Sequence, residues 1–293
     1  ADMFTKRTIQ PHRVVTSVDT ASEALTLSIA EKAEVDMDYM SSLTGKTAEE
    51  LASELRGVIF HDPTLGNAEG SMGWVTADEY LSGNVRQKLR QAEAAAAENP
   101  AYQVNVEALR AAQPKDLDAS EIEVRLGATW IDRSYIKQFM FETFDTPRYL
   151  RYSMDVQYSP YTAAWSISNK TRISYNDVAA WNTYGTDCVS AYEILEDSLN
   201  LRDVQVFDTI EDADGKKKRV LNAKETTLAA QKQQLIRDAF KDWIWADPER
   251  RQALVRQYNE EMNSIRPREY DGSHIVFAGM NPEITLREHQ RNA

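Results

Sequence analysis

NAKETTLAAQKQQLIRDAFKDWIWADPE, residues 222–249, is the stretch that decides the fold class. Its apolar residues recur every three or four positions, which is the spacing of one buried face of an amphipathic helix. Asn222 followed by Glu225 is a helix-start signal, and the Asp-Pro-Glu run at 247–249 starts a second helix that we expect to reach Ile265. The C-terminal part is therefore predicted to hold a long helix followed by a shorter one. The predicted apolar stripe contains Leu228, Leu235, Ile236, Ala239, Phe240, Trp243 and Ile244.

Capping boxes predict three further helix starts in the N-terminal third of the chain. In each box a threonine stands three residues before a glutamate and ahead of spaced apolar residues. Gly57 and Pro100 are expected to end two of these helices, a short strand is predicted at 58–60, and the Gly-rich loop at 62–73 marks an internal boundary. The three boxes are Thr20 with Glu23, Thr47 with Glu50, and Thr76 with Glu79.

The middle of the chain is rich in aromatic residues and in short alternating runs. Of the 27 aromatic residues in the whole chain, thirteen lie between Trp130 and Tyr184. The run EIEVRLGATWI at 121–131 alternates apolar and charged residues, as a half-buried strand does. Residues 203–222 are predicted to form a β-hairpin whose turn is Asp214-Gly215.

These patterns together predict an α+β fold. Helix-rich N- and C-terminal parts flank a small, aromatic-rich, mainly antiparallel sheet. Three modules are predicted: a small helical module at 1–70, an α+β module with the aromatic sheet and the hairpin at 71–215, and a helical C-terminal region at 216–293.

Composition excludes two classes of protein. The longest apolar runs have four or five residues, far short of the roughly 20 needed to cross a bilayer, so no membrane partner is expected. The single cysteine, Cys188, rules out an internal disulfide framework and predicts a cytoplasmic protein. Because Cys188 lies in an aromatic stretch, we expect its thiol to be buried.

The net charge of −12 is unevenly distributed along the chain. Residues 1–215 carry 19 Lys and Arg against 35 Asp and Glu, whereas residues 216–293 carry 15 against 11. The acidic part repels a phosphate backbone, and the C-terminal part can meet one. A soluble acidic surface with a locally basic end is the simpler alternative.

Motifs that suggest catalysis do not meet the geometric requirements of their chemistry. TGKT at 44–47 lacks the glycine that a phosphate-binding loop needs four residues before its Gly-Lys pair. NPAY at 99–102 departs from the Asn-Pro-Pro-aromatic motif of adenine methyltransferases and is interpreted as a helix stop. None of the four histidines has a His, Cys or Glu at metal-ligand spacing, so no metal site and no catalytic residue is predicted.

The run GKKKRV at 215–220 places four cations at the tip of the predicted hairpin. Such a tip can reach a phosphate backbone or a groove, and it can equally be a solvated turn that balances the acidic residues before it. We predict DNA contacts here and at the start of the second C-terminal helix. The candidate residues are Lys216, Lys217, Lys218, Arg219, Arg250 and Arg251.

Seven long stretches carry a family resemblance. In this order they resemble the middle region of very large proteins of phages and conjugative elements. Those proteins join an adenine-type DNA methyltransferase to a superfamily-two, Swi/Snf-type helicase motor, and some are linked to protection against restriction. The stretches are VDMDYMSSLTGK, DEYLSGNVRQKLRQA, NPAYQVNVEAL, EIEVRLGATWI, LEDSLNLRDVQVFD, NAKETTLAAQKQQLIRDAFKDWIWADPERRQALVRQYNEEMN and YDGSHIVFAGMNPEITLREHQRNA.

The last of these stretches resembles a nucleotide-reading motif. Superfamily-two motors have a Leu-x-x-x-Gln segment just before their phosphate-binding loop, and its glutamine reads the adenine of ATP. Leu286 to Gln290 fit this pattern, which implies Gln290 as the adenine contact and Arg287 beside it in a longer protein. On this resemblance we expect the chain to end where the motor begins.

The resemblance implies a non-catalytic connecting region that engages DNA or couples flanking methyltransferase and helicase modules. The phosphate-binding loop, the Mg²⁺ motif and the methyltransferase motifs are missing from the sequence, so we expect no enzyme activity and no cofactor of its own. ATP with Mg²⁺ and S-adenosylmethionine are implied for the longer protein. The alternatives are an acidic module that binds a partner protein or imitates DNA, and an enzyme whose carboxylates converge in a pocket.

Overall fold

The computed structural model describes residues 15–65, 72–211, 217–270 and 283–291. The chain divides into two compact units, one of Ala1–Asp116 with Glu260–Ala293 and one of Leu117–Asn259. The three modules predicted at 1–70, 71–215 and 216–293 follow composition, and their boundaries stay a prediction. Among the described residues, no helix has both the length and the apolar character that crossing a membrane requires.

The first unit begins with three short helices and a pair of strands. The capping boxes at Thr20 and Thr47 form as predicted, with each threonine oxygen accepting from the backbone of the glutamate three residues on. Leu25, Met40 and Leu51 are almost completely buried where the helices meet. The elements are α1 (Ala21–Lys32), α2 (Met37–Thr44), α3 (Ala48–Glu54), β1 (Ile59–His61) and β2 (Trp74–Thr76).

Two longer helices complete the first half of this unit. Asn99 ends the first of them and caps the one-turn helix Pro100–Tyr102, which confirms the helix-stop interpretation of NPAY. Thr76 makes no side-chain cap, so the third predicted capping box is wrong. The elements are α4 (Ala77–Tyr80), β3 (Gly83–Asn84), α5 (Val85–Glu98) and α6 (Gln103–Ala111).

The second unit is built on an aromatic core. The centre of the Phe139 ring lies 5.1 Å from the ring centre of Phe240, 5.6 Å from that of Trp243 and 5.9 Å from that of Phe144. The predicted hairpin and both long C-terminal helices are confirmed, although the hairpin turn lies outside the described residues. The elements are α7 (Arg133–Thr143), α8 (Arg148–Arg151), β4 (Val156–Ser159), β5 (Ala164–Ile167), α9 (Ala191–Leu199), β6 (Phe207–Glu211), β7 (Lys217–Leu221), α10 (Ala223–Ala246) and α11 (Pro248–Glu261).

The first unit closes with β8 (Ile265–Arg266), which pairs with β3, and with the short helix α12 (Glu288–Arg291). The predicted α+β class is confirmed. The described strands form four separate two-stranded antiparallel pairs, and the aromatic one is β4–β5, where Tyr158 faces Trp165.

The strand predicted at 121–131 is wrong. Ile122, Val124 and Leu126 are buried as the alternation requires, each with 4% of its surface exposed, but the segment is irregular. An extended backbone buries alternate side chains whether or not a partner strand accepts its hydrogen bonds. The period of two therefore identified the buried face without identifying a strand.

Gly127 lies within this segment and provides a sharp test of the packing in the second unit. Its φ is +86°, and a Cβ there would lie 2.3 Å from the Leu199 carbonyl oxygen. We expect Gly127→Ala to lower the free energy of unfolding by more than about 2 kcal/mol, measured by urea denaturation, because strain and a backbone clash add.

Gly57→Ala is the matched control for this prediction. Gly57 has a similar φ of +84°, but nothing lies within 4 Å of the added Cβ. This control isolates the backbone strain of about 1–2 kcal/mol. Equal losses for the two variants would contradict the clash at Leu199.

Candidate nucleic-acid interface

A helix–turn–helix is formed by α2 and α3. The Gly45 amide donates to the Ser41 carbonyl at 2.8 Å with a φ of +73°, and Thr47 then caps α3. TGKT at 44–47 is thus the turn between two helices, which explains its glycine without a bound phosphate. A three-residue turn with a glycine is typical of the helix–turn–helix motif.

The antiparallel pair β1–β2 follows the helix–turn–helix. Its register places Ile59 opposite Thr76 and His61 opposite Trp74. The amide of Asp62 donates to the Gly73 carbonyl at 2.8 Å, so the pairing continues beyond the strands. Three helices followed by a hairpin form the compact N-terminal part of the first unit.

A buried polar network holds the loop end of this hairpin. The Nε2–H of His61 donates to the Met72 carbonyl at 3.0 Å, since a carbonyl can only accept, and its Nδ1 lies 3.0 Å from the Tyr102 hydroxyl. Asn105 donates to the His61 carbonyl at 2.8 Å and to the Tyr80 hydroxyl at 2.9 Å. Burial raises the pKa of Tyr80 to about 12, so this phenol stays protonated. The network ties the hairpin to α4 and α6.

Comparison with known families identifies this arrangement. Residues 17–75 match the family described as probable helicase, winged helix domain. Residues 125–264, most of the second unit, match a family described as a domain of unknown function, DUF8437. Neither a curated protein nor a solved structure matches the chain. The winged-helix match supports an association of this chain with helicases.

The winged-helix segment is strongly acidic. Residues 17–75 contain 11 Asp and Glu against three Lys and Arg. Glu49 and Glu54 are exposed on α3, and Glu54 binds the nearby Lys46 at 2.7 Å. In DNA-binding helix–turn–helix proteins the second helix enters the major groove, where it meets phosphates on both sides. The exposed face of α3 repels such phosphates.

The hairpin β6–β7 places the predicted cations on one exposed strand. Lys217, Lys218 and Arg219 follow one another on β7, and every residue of both strands is exposed. Arg219 pairs with Thr209, and its guanidinium reaches diagonally to within 4.5 Å of the centre of the Phe207 ring. Side chains alternate along a strand, so Lys218 points to the opposite face from its two neighbours. Lys216 lies outside the described residues.

The other predicted DNA contacts are placed differently. Arg250 is buried, its guanidinium donates to the Ile244 and Trp243 carbonyls, and it lies 3.6 Å from the centre of the Trp243 ring. This geometry favours a packing role for Arg250. Its neighbour Arg251 is exposed. DNA contact by either residue stays a prediction.

The predicted adenine-reading residues lie at α12. The side-chain oxygen of Gln290 accepts from the Arg287 amide at 3.1 Å, and both residues are exposed. The Gln290 amide nitrogen of the backbone also donates to the Arg287 carbonyl at 2.9 Å. The adenine contact itself stays a prediction.

Cys188 is exposed, so its predicted burial is wrong. Partial desolvation of the sulfur and the nearby carboxylates of Glu225 and Asp208 raise the pKa of the thiol. A thiol held protonated is a poor nucleophile. In the described part of the chain, no three His, Cys, Asp or Glu side chains come together as a metal site.

A hollow of about 720 Å³ in the first unit is lined in part by carboxylates, the feature expected of an unrecognised enzyme. Asp78 accepts a hydrogen bond from Arg268, and Glu269 accepts one from Arg266. Because arginines occupy these carboxylates, their geometry favours structural ion pairs over general acid–base chemistry.

The similarity to a winged helix was not predicted from the sequence, although its signal was present. A capped helix, a short turn with Gly45, a second capping box at Thr47 and a strand at 59–61 occur in the order that this motif requires. TGKT contains the Gly-Lys pair of a phosphate-binding loop, and this likeness obscured its role as the turn that joins two helices.

Asn105 tests whether the polar network holds the hairpin of the winged helix. We expect Asn105→Ala to lower the free energy of unfolding of the first unit by about 1–3 kcal/mol in urea denaturation, because it removes two buried hydrogen bonds. Gln103→Ala, at an exposed position of the same helix, serves as the control with little expected change. Equal effects would show that the network contributes nothing beyond helix propensity.

Proposed function

We propose that this chain is a non-catalytic, helicase-associated region that engages DNA through the β6–β7 hairpin of its second unit. The observation that carries the helicase association is the winged helix at 17–75, where the match and the helix–turn–helix geometry agree. Because the exposed face of α3 is acidic and β7 carries consecutive cations, we assign the DNA contact to the hairpin and not to α3.

The hairpin has the properties that a backbone contact needs. Three consecutive cations project from one exposed strand, and a two-stranded ribbon is narrow enough to enter a groove. Contacts between lysines and phosphates are independent of sequence and sensitive to salt. A connecting region would therefore hold DNA without selecting a site.

The wider context of this proposal comes from the resemblance of the sequence. We place the region between the methyltransferase and helicase modules of a large DNA-modifying protein of a phage or mobile element, with a role in antirestriction. In that setting the chain itself catalyses nothing, ATP with Mg²⁺ serves the motor, and S-adenosylmethionine serves the methyltransferase. Arg287 and Gln290 would contact the adenine only beside the motor.

Charge reversal on the hairpin tests the DNA contact. We expect Lys217→Glu with Lys218→Glu to weaken binding to a labelled 20-base-pair duplex at least about tenfold at low salt, and to reduce the slope of log affinity against log salt by about 2, because two phosphate contacts are lost. Fluorescence anisotropy over a salt series measures both quantities.

Lys241→Glu with Arg256→Glu is the matched control for the hairpin variant. It makes the same change of net charge at two exposed positions of α10 and α11. A similar loss in this control would mean that overall charge, and not the hairpin, governs binding. An unaltered affinity and salt slope in the hairpin variant would contradict the proposal.

A second candidate function is an acidic module that binds a partner protein or imitates DNA. The specific observation that favours it is the 11-to-3 excess of acidic residues in 17–75 together with the exposed glutamates of α3. Under this alternative α3 faces protein, and the chain binds no DNA even at low salt.

Neutralising α3 separates a protein-facing helix from a DNA-facing one. We expect Glu49→Gln with Glu54→Gln to leave duplex affinity within about twofold of the unmodified chain, because the proposed contact lies on the hairpin and exposed charges that take no part in a contact are screened by salt. If DNA lay against α3, removing two repelling carboxylates would raise the affinity severalfold in the same anisotropy assay.

A further inference from the structure

Four tyrosines of the second unit are largely exposed, and three of them lie outside the turn between β4 and β5. The exposed fraction is 64% for Tyr149, 95% for Tyr152 and 82% for Tyr175. Most other rings of this unit pack against its core, as expected for large apolar side chains. Rings left in water forgo that stabilisation, and their faces are free to meet a ligand.

Hydrogen bonds hold the segments that carry these tyrosines side by side. Asn169 donates to the Ser153 carbonyl at 2.7 Å, which fixes the residue after Tyr152 against the one-turn helix Lys170–Arg172. The Arg172 amide in turn donates to the Asn169 carbonyl at 3.0 Å. Tyr152 and Arg172 are therefore carried by two directly bonded loops.

Aromatic packing joins the start of α8 to the segment that follows Tyr175. The hydroxyl of Tyr192 lies 2.8 Å from the Thr146 hydroxyl, just before α8. The ring of Phe144, two residues before Thr146, lies 5.3 Å from the ring of Tyr192 and 5.3 Å from the ring of Tyr184, centre to centre. The start of α8 and the segment that follows Tyr175 thus pack on the same aromatic residues.

The Tyr175 ring is held in place rather than free to rotate. It stacks on Trp181 with 4.9 Å between the ring centres and 27° between the planes. The indole N–H of Trp181 donates to the Ser174 carbonyl at 3.1 Å, which orients the pair. A fixed, exposed ring can accept a stacking partner with little loss of side-chain entropy.

Unpaired cations accompany the rings. Arg148 and Arg172 are exposed, and neither forms an ion pair with any residue that the structure describes. Residues 133–178 contain six Lys and Arg against four Asp and Glu, in a chain whose net charge is −12. This part of an acidic protein is locally basic.

We infer that Tyr149, Tyr152 and Tyr175, with Arg148 and Arg172, form a surface that binds single-stranded nucleic acid; we call it the tyrosine surface. Unpaired bases present faces that stack on aromatic rings, while the arginines meet the phosphates. A duplex hides those faces, and a purely acidic peptide uses the arginines but leaves the rings without a partner. The inference deepens the proposed function and rests on its nucleic-acid context.

Oligonucleotide binding by the whole chain tests the tyrosine surface. The triple variant Y149A/Y152A/Y175A is expected to weaken binding to labelled dT20 at least about tenfold, since stacking contributes about 1–3 kcal/mol per base. Its affinity for a 20-base-pair duplex should not change. The triple phenylalanine variant keeps the rings and should retain dT20 affinity. Anisotropy measures binding, and circular dichroism confirms folding.

Tyr161→Ala is the matched control. Tyr161 is fully exposed, but it lies in the turn between β4 and β5. This turn is at the far end of that hairpin from Asp155 and Ser168, whose hydrogen bonds adjoin the tyrosine surface. The control should bind dT20 as the unmodified chain does. A U20 probe in parallel shows whether RNA or DNA is the better ligand, and tight binding of either supports the surface.

Different measurements would contradict the tyrosine surface and the proposed hairpin contact. An unchanged dT20 affinity in the triple alanine variant, or an equal loss in the phenylalanine variant, overturns the tyrosine surface even if the hairpin variant loses duplex binding. Conversely, a hairpin variant with normal duplex binding overturns the proposed contact, while selective loss of dT20 affinity in the alanine variant still supports the surface.

Discussion

The packing of Phe139 against Phe240 and Phe144 is the interaction on which the second unit depends. Phe240 anchors α10, whose first turn holds the hairpin through the hydrogen bond from the Val206 amide to the Thr226 hydroxyl, at 3.0 Å. Phe144 contacts Tyr192, whose hydroxyl lies 2.8 Å from the hydroxyl of Thr146, just before α8. Both proposed nucleic-acid contacts are therefore mounted on one aromatic core, although neither includes a core residue. A loss of core packing would disturb both together, so variants on the surface are the informative ones.

The charge of each exposed surface determines whether that surface can bind nucleic acid. The winged-helix fold is compatible with DNA binding, yet an exposed face with Glu49 and Glu54 raises the energy of a nearby phosphate instead of lowering it. The same chain has consecutive cations on β7 and exposed arginines at Arg148 and Arg172. A fold indicates which surfaces are possible, and the side chains on those surfaces determine which partner each can meet.

Local signals in the sequence predicted the elements that local forces determine. The capping boxes at Thr20 and Thr47, the helix after Asn222 and the hairpin before it all formed, because each depends on residues a few positions apart. The burial of Arg250 and the exposure of Cys188 depend on contacts made after the chain folds, and the sequence could not give them. The tyrosine surface was hidden for the same reason, since a high aromatic content does not distinguish rings in the core from rings in water.

The kind of contact proposed here suits a region that works beside a motor. A helix that reads base edges fixes the register of a protein on DNA, and each step along the duplex then breaks specific bonds. Lysine contacts to phosphate and tyrosine stacking on bases are nearly the same at every position, so they can be exchanged as the nucleic acid moves. An acidic α3 is consistent with this requirement, because its exposed carboxylates oppose the approach of DNA to the helix that reads base edges in DNA-binding helix–turn–helix proteins. The hairpin would then hold duplex and the tyrosine surface the separated strand, which are the two forms of nucleic acid that a helicase produces and consumes.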